Sequence, residues 1–150
     1  MRIAIGCDEN ALGLKKTLIN VLKEKKVKFR DFGVFTTDPV DYPDVASFLV
    51  TEVVNGNFDR GILLCGTGIG MAICANKFKG IRAAVCHDIF SAQRSILSND
   101  CQIICMGSLV ISDCLAKEIL KVWLDIKKTG GTVTKVRKIE ELEKKFCIKF

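Results

Sequence analysis

Gly61-Ile62-Leu63-Leu64-Cys65-Gly66-Thr67-Gly68-Ile69-Gly70 decides the fold class. Five residues with no charge among them read as a buried strand, and the run breaks at Gly66. From Gly68 to Lys77 the residues are mostly small and apolar, which predicts a helix beginning inside the glycine turn. A strand, a glycine turn and a helix in immediate succession are half of a βαβ unit.

The same alternation extends in both directions. Ile3 to Cys7 reads as a strand ending at Gly6-Cys7-Asp8, and Ala11 to Lys25 as an amphipathic helix with Leu14, Leu18 and Leu22 on one face. Val27 to Phe32 is a second strand closed by Gly33, and Asp41 to Val54 a helix with Val45, Phe48, Leu49 and Val53 at helical spacing. Beyond the opening stretch come a strand at Ile81 to Cys86, a helix from about Ile89 to Leu97, and a strand at Gln102 to Met106 ended by Gly107. Ser112 is placed to cap a helix running through Ile126. Gly130-Gly131 marks a break, and Lys138 to Phe146 fits a last charged helix. The strands are continuous apolar runs, as a sheet covered on both faces requires. The expectation is a three-layer, Rossmann-like α/β/α sandwich on a five-stranded parallel sheet, with the uncharged first strand central.

Length and composition agree with one domain over 1–150. The chain has 150 residues, 49% hydrophobic and 27% charged, which suits one folded core and excludes a disordered chain. No apolar run is long enough to span a bilayer. The N-terminus enters a strand directly and does not read as a signal peptide. The net charge of +6 is uneven: residues 115–150 carry ten Lys and Arg against five Asp and Glu, and residues 1–114 thirteen against twelve. A basic C-terminal segment, about 127–150, suits a small anion or simply a solvated helix surface. The excess is too small, and stacking aromatics too few, to favour nucleic acid.

Eight cysteines without a C-x-x-C pair point to a reducing, cytoplasmic setting and to thiols that are mostly small buried hydrophobes. His87 is the sole histidine and no paired ligand spacing occurs, so no metal is expected.

Ligands of open α/β sheets sit beyond the carboxyl ends of the strands. That rule selects Asp8-Glu9, Cys65 to Gly70, Cys86-His87-Asp88 and Gly107-Ser108. Glycines at 66, 68 and 70 let backbone N–H groups approach an anion. The turn is neither a P-loop nor a clean G-x-G-x-x-G motif. A thiol at Cys65, facing those donors and a helix N-terminus, is stabilised as thiolate and equipped to take a proton next to a carbonyl. The alternative is a buried structural thiol.

These blocks resemble the ribose-5-phosphate isomerase B family and its galactose-6-phosphate and allose-6-phosphate isomerase relatives. The matching segments are Arg2 to Asp8, Asp31 to Gly33, Asp41 to Pro43, Gly61 to Gly70, Ala75 to Lys77, Gly80 to Ala83, Ser91 to Gln93, Asn99-Asp100 and Gly130-Gly131. The resemblance implies an aldose–ketose isomerase of a sugar phosphate, ribose 5-phosphate above all, working through a cis-enediolate without metal or organic cofactor. It implies Cys65 as the base and Gly66, Gly68, Ile69 and Gly70 as the enediolate cradle with Thr67 beside them. Asp8, Glu9, Tyr42, Ser98 and Asn99 would line the sugar. The sites would be shared between subunits of a homodimer or tetramer. The chain departs from the family in four places. Glu9 and Ser98 stand where histidines are frequent, the latter at the ring-opening position. Leu109 stands for an arginine, and Thr132-Val133 for the Arg-His after Gly-Gly. Lys135 and Arg137 are then the expected phosphate ligands, with Arg82 and Arg94 next, and His87 a possible acid near the strand ends. Partner-dependent or purely binding activity, a hexose 6-phosphate substrate and a thiol redox sensor are the alternatives.

Overall fold

The computed structural model describes residues 1–127, 129 and 131–146. The expected break at Gly130 and the cysteine at Cys147 lie outside them. Elements follow as β1 (Arg2–Cys7), a single 3-10 turn (Glu9–Ala11), α1 (Leu12–Glu24), β2 (Lys28–Asp31), α2 (Tyr42–Val54) and β3 (Arg60–Cys65). Then come α3 (Ile69–Ala75), β4 (Ala83–Val85), α4 (Ile89–Leu97), β5 (Ile103–Gly107), α5 (Asp113–Asp125) and α6 (Val133–Phe146).

All five strands are parallel, in the order β2-β1-β3-β5-β4. β1 is an interior strand, paired on both edges, but the middle position belongs to β3. Strand parity divides the core. Ile3, Ile5, Cys7, Ile62 and Leu64 pack with α1, α4 and α5, whereas Ala4, Leu63 and Cys65 pack with α2 and α3. The three-layer sandwich is therefore as expected.

Helix faces follow their patterns with one correction. Leu14, Leu18 and Leu22 of α1 are buried. On α2 the buried stripe is Ala46, Leu49, Val50 and Val53. Phe48 points outward, 62% exposed, with its ring edge-on to Phe32. Ser112 caps α5 as expected, its side chain accepting the Leu115 N–H. α6 begins five residues earlier than the charge pattern predicts, because Thr132 accepts the N–H groups of Lys135 and Val136 and starts the helix itself.

Two buried cations tie the layers together. Lys15, 1% exposed, donates to Asp31 Oδ1 at 2.8 Å and to the Val34 carbonyl. Arg60 opens β3 and donates to the carbonyls of Trp123 and Ile126, each at 2.8 Å. It thereby closes the C-terminal end of α5, where cations are favoured. Among the described residues, no helix is long and apolar enough to cross a membrane.

Candidate active site

α1 and α3 leave the neighbouring strands β1 and β3 on opposite faces of the sheet, which opens a crevice at the strand ends. A cleft of about 400 Å³ opens there, lined by Asp8, Tyr42, Cys65, Gly66, Thr67, Ile69, Gly70 and Ile73. Seven of these eight were expected from sequence. Ile73 was not, although it stands one helical turn beyond Ile69, on the same face of α3.

Cys65 is the last residue of β3, and its parity aims the side chain at the α2/α3 side. It is 5% exposed, and its Sγ accepts the Gly68 N–H at 3.0 Å. Gly68 has φ +75°, and a Cβ there would lie 3.0–3.2 Å from the Met106 backbone, so only glycine fits. A Cβ on Gly70 would meet the Tyr42 ring at 2.6 Å. Thr67 Oγ1 accepts the Ile69 N–H at 3.3 Å.

The turn is held from behind by the end of β5. Ser108 N–H donates to the Cys65 carbonyl at 2.9 Å, and Leu109 N–H to the Gly66 carbonyl at 3.0 Å. A trans peptide sets its N–H opposite its C=O, so the N–H groups of Gly66 and Thr67 turn away from β5. Both residues line the cleft.

Asp8 caps the 3-10 turn, its Oδ1 accepting the Asn10 N–H at 3.0 Å. Burial raises its carboxyl above the ordinary value, with Glu9 adding to the rise and the Asn10 hydrogen bonds partly offsetting it. Glu9 is beside the cleft rather than in its lining, and accepts from Asn10 Nδ2 and the Val40 N–H, both at 3.3 Å. Burial pushes the thiols of Cys7 and Cys86 up to about 11 and about 12, and that of Cys105 well above its usual range.

The remaining expected residues do not reach this cleft within one chain. Ser98 ends α4, and its carbonyl accepts the Thr132 N–H. Asn99 lines a second cleft with Arg82 and Arg94, at the open edge of β4. Arg82 is committed to Asp100 at 2.8 Å and lies 3.7 Å from Glu140. Lys135 and Arg137 are exposed on α6, where Arg137 stands 3.5 Å from Glu141. His87 is not in the cleft lining, and its Nε2 accepts the Gly107 N–H at 3.0 Å.

Similarity to known proteins covers nearly the whole chain. Residues 3–142 match the family described as Ribose/Galactose Isomerase. A Listeria innocua protein named Ribose-5-P isomerase B is 53% identical over 97% of this chain and 99% of its own. D-erythrulose-4-phosphate isomerase of Pectobacterium atrosepticum is 49% identical over 93% of each chain. The solved structure of Clostridium thermocellum Ribose-5-Phosphate Isomerase B superposes with a TM-score of 0.93 at 41% identity, covering 97% of this chain and 99% of that one. With the family matched over residues 3–142 and these relatives similar almost from end to end, the chain belongs to the ribose/galactose isomerase family.

Proposed function

We propose that this sugar-phosphate isomerase interconverts ribose 5-phosphate and ribulose 5-phosphate, with Cys65 as the base. The observation that carries the reading is the Cys65 thiol in the cleft, fixed by the Gly68 N–H beside a turn of oriented amides. In the open-chain aldose, the Cys65 thiolate takes the C2 proton. The C–H electron pair forms the C1–C2 double bond, and the carbonyl electrons move onto O1. The resulting cis-enediolate is stabilised by the N–H groups of Gly66 and Thr67 and by the start of α3. Cys65 then returns the proton to C1, while the O2 proton passes to O1. Thr67 Oγ1 already accepts the Ile69 N–H, so its own proton is available to an enediolate oxygen. Asp8 and Tyr42 contact the sugar hydroxyls.

The cleft lining of one chain contains no Lys, Arg or His. A phosphate dianion requires cationic donors. Lys135 and Arg137 of a second copy supply them in this reading, together with Ser98 and Asn99, which makes the working unit a homodimer or a multiple of it. A reducing cytoplasm suits a base that must stay a thiol.

A tetrose 4-phosphate is the second reading. Ser98, at the position where the resemblance implies a ring-opening histidine, favours it. A tetrose phosphorylated at O4 has no hydroxyl left to close a five-membered ring, so it needs no ring-opening acid. The 49% identical relative named for D-erythrulose 4-phosphate has the same bearing.

The test is an isomerase assay on the purified chain with ribose 5-phosphate, D-erythrulose 4-phosphate and a hexose 6-phosphate in parallel. The ribose reading expects the highest kcat/KM on ribose 5-phosphate, abolished in Cys65→Ala. Preference for the tetrulose transfers the assignment to the second reading. A Cys65→Ala protein with full turnover refutes the mechanism.

A further inference from the structure

We propose that His87 is a positioning residue for the catalytic turn: its neutral imidazole anchors the end of β5, which in turn holds the carbonyls of Cys65 and Gly66. This rests on the reading of the Cys65 turn as the reaction centre.

The backbone ladder between β4 and β5 ends with the Cys86 N–H donating to the Cys105 carbonyl at 3.0 Å. One step further, the Gly107 N–H donates to His87 Nε2 at 3.0 Å. A side-chain nitrogen thus takes the place that a strand carbonyl would occupy. To accept, Nε2 must carry the lone pair, which puts the ring proton on Nδ1 and removes Nε2 from service as an acid.

Gly107 is the point where this anchor meets the turn. It is the sheet partner of Cys65, and a Cβ on it would lie 2.6 Å from Thr67 Cα. The next two residues donate to the Cys65 and Gly66 carbonyls at 2.9 and 3.0 Å. Those bonds orient the amides that face the reacting oxygens. Only Gly107 separates the His87 anchor from the first of these bonds, so a displaced Gly107 rotates the peptide planes of the turn. Misplacement of about 1 Å in such a site costs on the order of a hundredfold in rate.

Two variants and two readouts test this. His87→Phe keeps the bulk and removes the acceptor; His87→Gln places a carbonyl oxygen at about the reach of Nε2. Hydrogen exchange of the Ser108 and Leu109 amides reads the anchor directly, independently of the chemistry at Cys65. In His87→Phe we expect those amides to exchange roughly tenfold or more faster. We expect kcat to fall about ten- to a hundredfold, with KM within about twofold. His87→Gln should restore both to within about threefold of the parent. If His87→Phe does not fold, His87→Asn takes its place, because its oxygen reaches only as far as Nδ1. Unchanged exchange in the acceptor-less variant, or a Gln variant as impaired as it, overturns the proposal. Faster exchange with unchanged kcat overturns the positioning role, whereas the base itself stands or falls separately with Cys65→Ala.

Discussion

The Gly68 N–H points at Cys65 Sγ across 3.0 Å, and the bond exists because Gly68 holds φ +75° against the Met106 backbone. Gly68→Ala asks a Cβ to share that space in a left-handed conformation. A residue so strained costs about 1–3 kcal/mol. The expected result is a melting temperature lowered by several degrees and a kcat reduced more than tenfold, as the N–H swings off the thiol. Thermal melts and steady-state kinetics on one preparation check both.

Arg137 is exposed and stands 3.5 Å from the equally exposed Glu141 carboxylate, a pair that holds the cation only lightly. If it binds the phosphate of a neighbouring copy's substrate, Arg137→Ala raises KM by about tenfold or more while kcat changes less, because a remote phosphate contact contributes mainly uniform binding. Lys135→Ala should do the same more weakly. An unchanged KM in both variants locates the phosphate elsewhere.

The Lys15–Asp31 pair predicts an asymmetry. Lys15 is 1% exposed, while the Asp31 side chain is 22% exposed and also accepts the Gly33 N–H at 2.9 Å. Asp31→Ala abandons a buried ammonium and should destabilise by about 3–5 kcal/mol. Lys15→Met removes the charge and keeps the stem, and should cost clearly less. Urea denaturation of the two variants measures the difference.

Burial raises the Cys7 and Cys86 thiols to about 11 and about 12 from an ordinary 9.0. The unfolded chain therefore releases those protons first as pH rises, and the folded state loses its advantage. Stability should hold below pH 9 and decline as pH climbs towards 11 and 12. The check is the melting temperature against pH, with a shallower alkaline decline in Cys86→Ala. At pH 8, iodoacetamide followed by mass spectrometry should label the exposed Cys114 and spare Cys7, Cys86 and Cys105.

What could be read from sequence was what depends on neighbours along the chain. The Cys65 turn is local: an apolar strand, glycines where φ and close packing demand them, and a helix start within six residues. Ser112 capped its helix for the same reason. The burial of Phe48 was misjudged because helical spacing fits two adjacent stripes on α2, and only packing against the sheet selects Ala46 and Val50. The position of β5 between β3 and β4 depends on tertiary pairing that no strand's own residues encode. His87 was legible as a residue near the strand ends, but its partner is a backbone N–H, which has no signature in sequence. The partners of Arg60, the Trp123 and Ile126 carbonyls at 2.8 Å, are likewise backbone groups distant in sequence.

The order β2-β1-β3-β5-β4 has a consequence for how the protein is made. As the chain leaves the ribosome, β3 and its thiol are complete well before β5, which flanks them on the side away from β1. β4 emerges next but cannot dock, since its place in the sheet is beside a strand not yet translated. Gly107, Ser108 and Leu109 then arrive together with the rest of β5 and its turn, pair with β3, receive β4 and clamp the Cys65 carbonyl at nearly the same moment. A nascent chain stalled before residue 107 would carry the Cys65 thiol without its clamp. Completion of the Cys65 turn and closure of the sheet are, in that sense, a single event in biosynthesis.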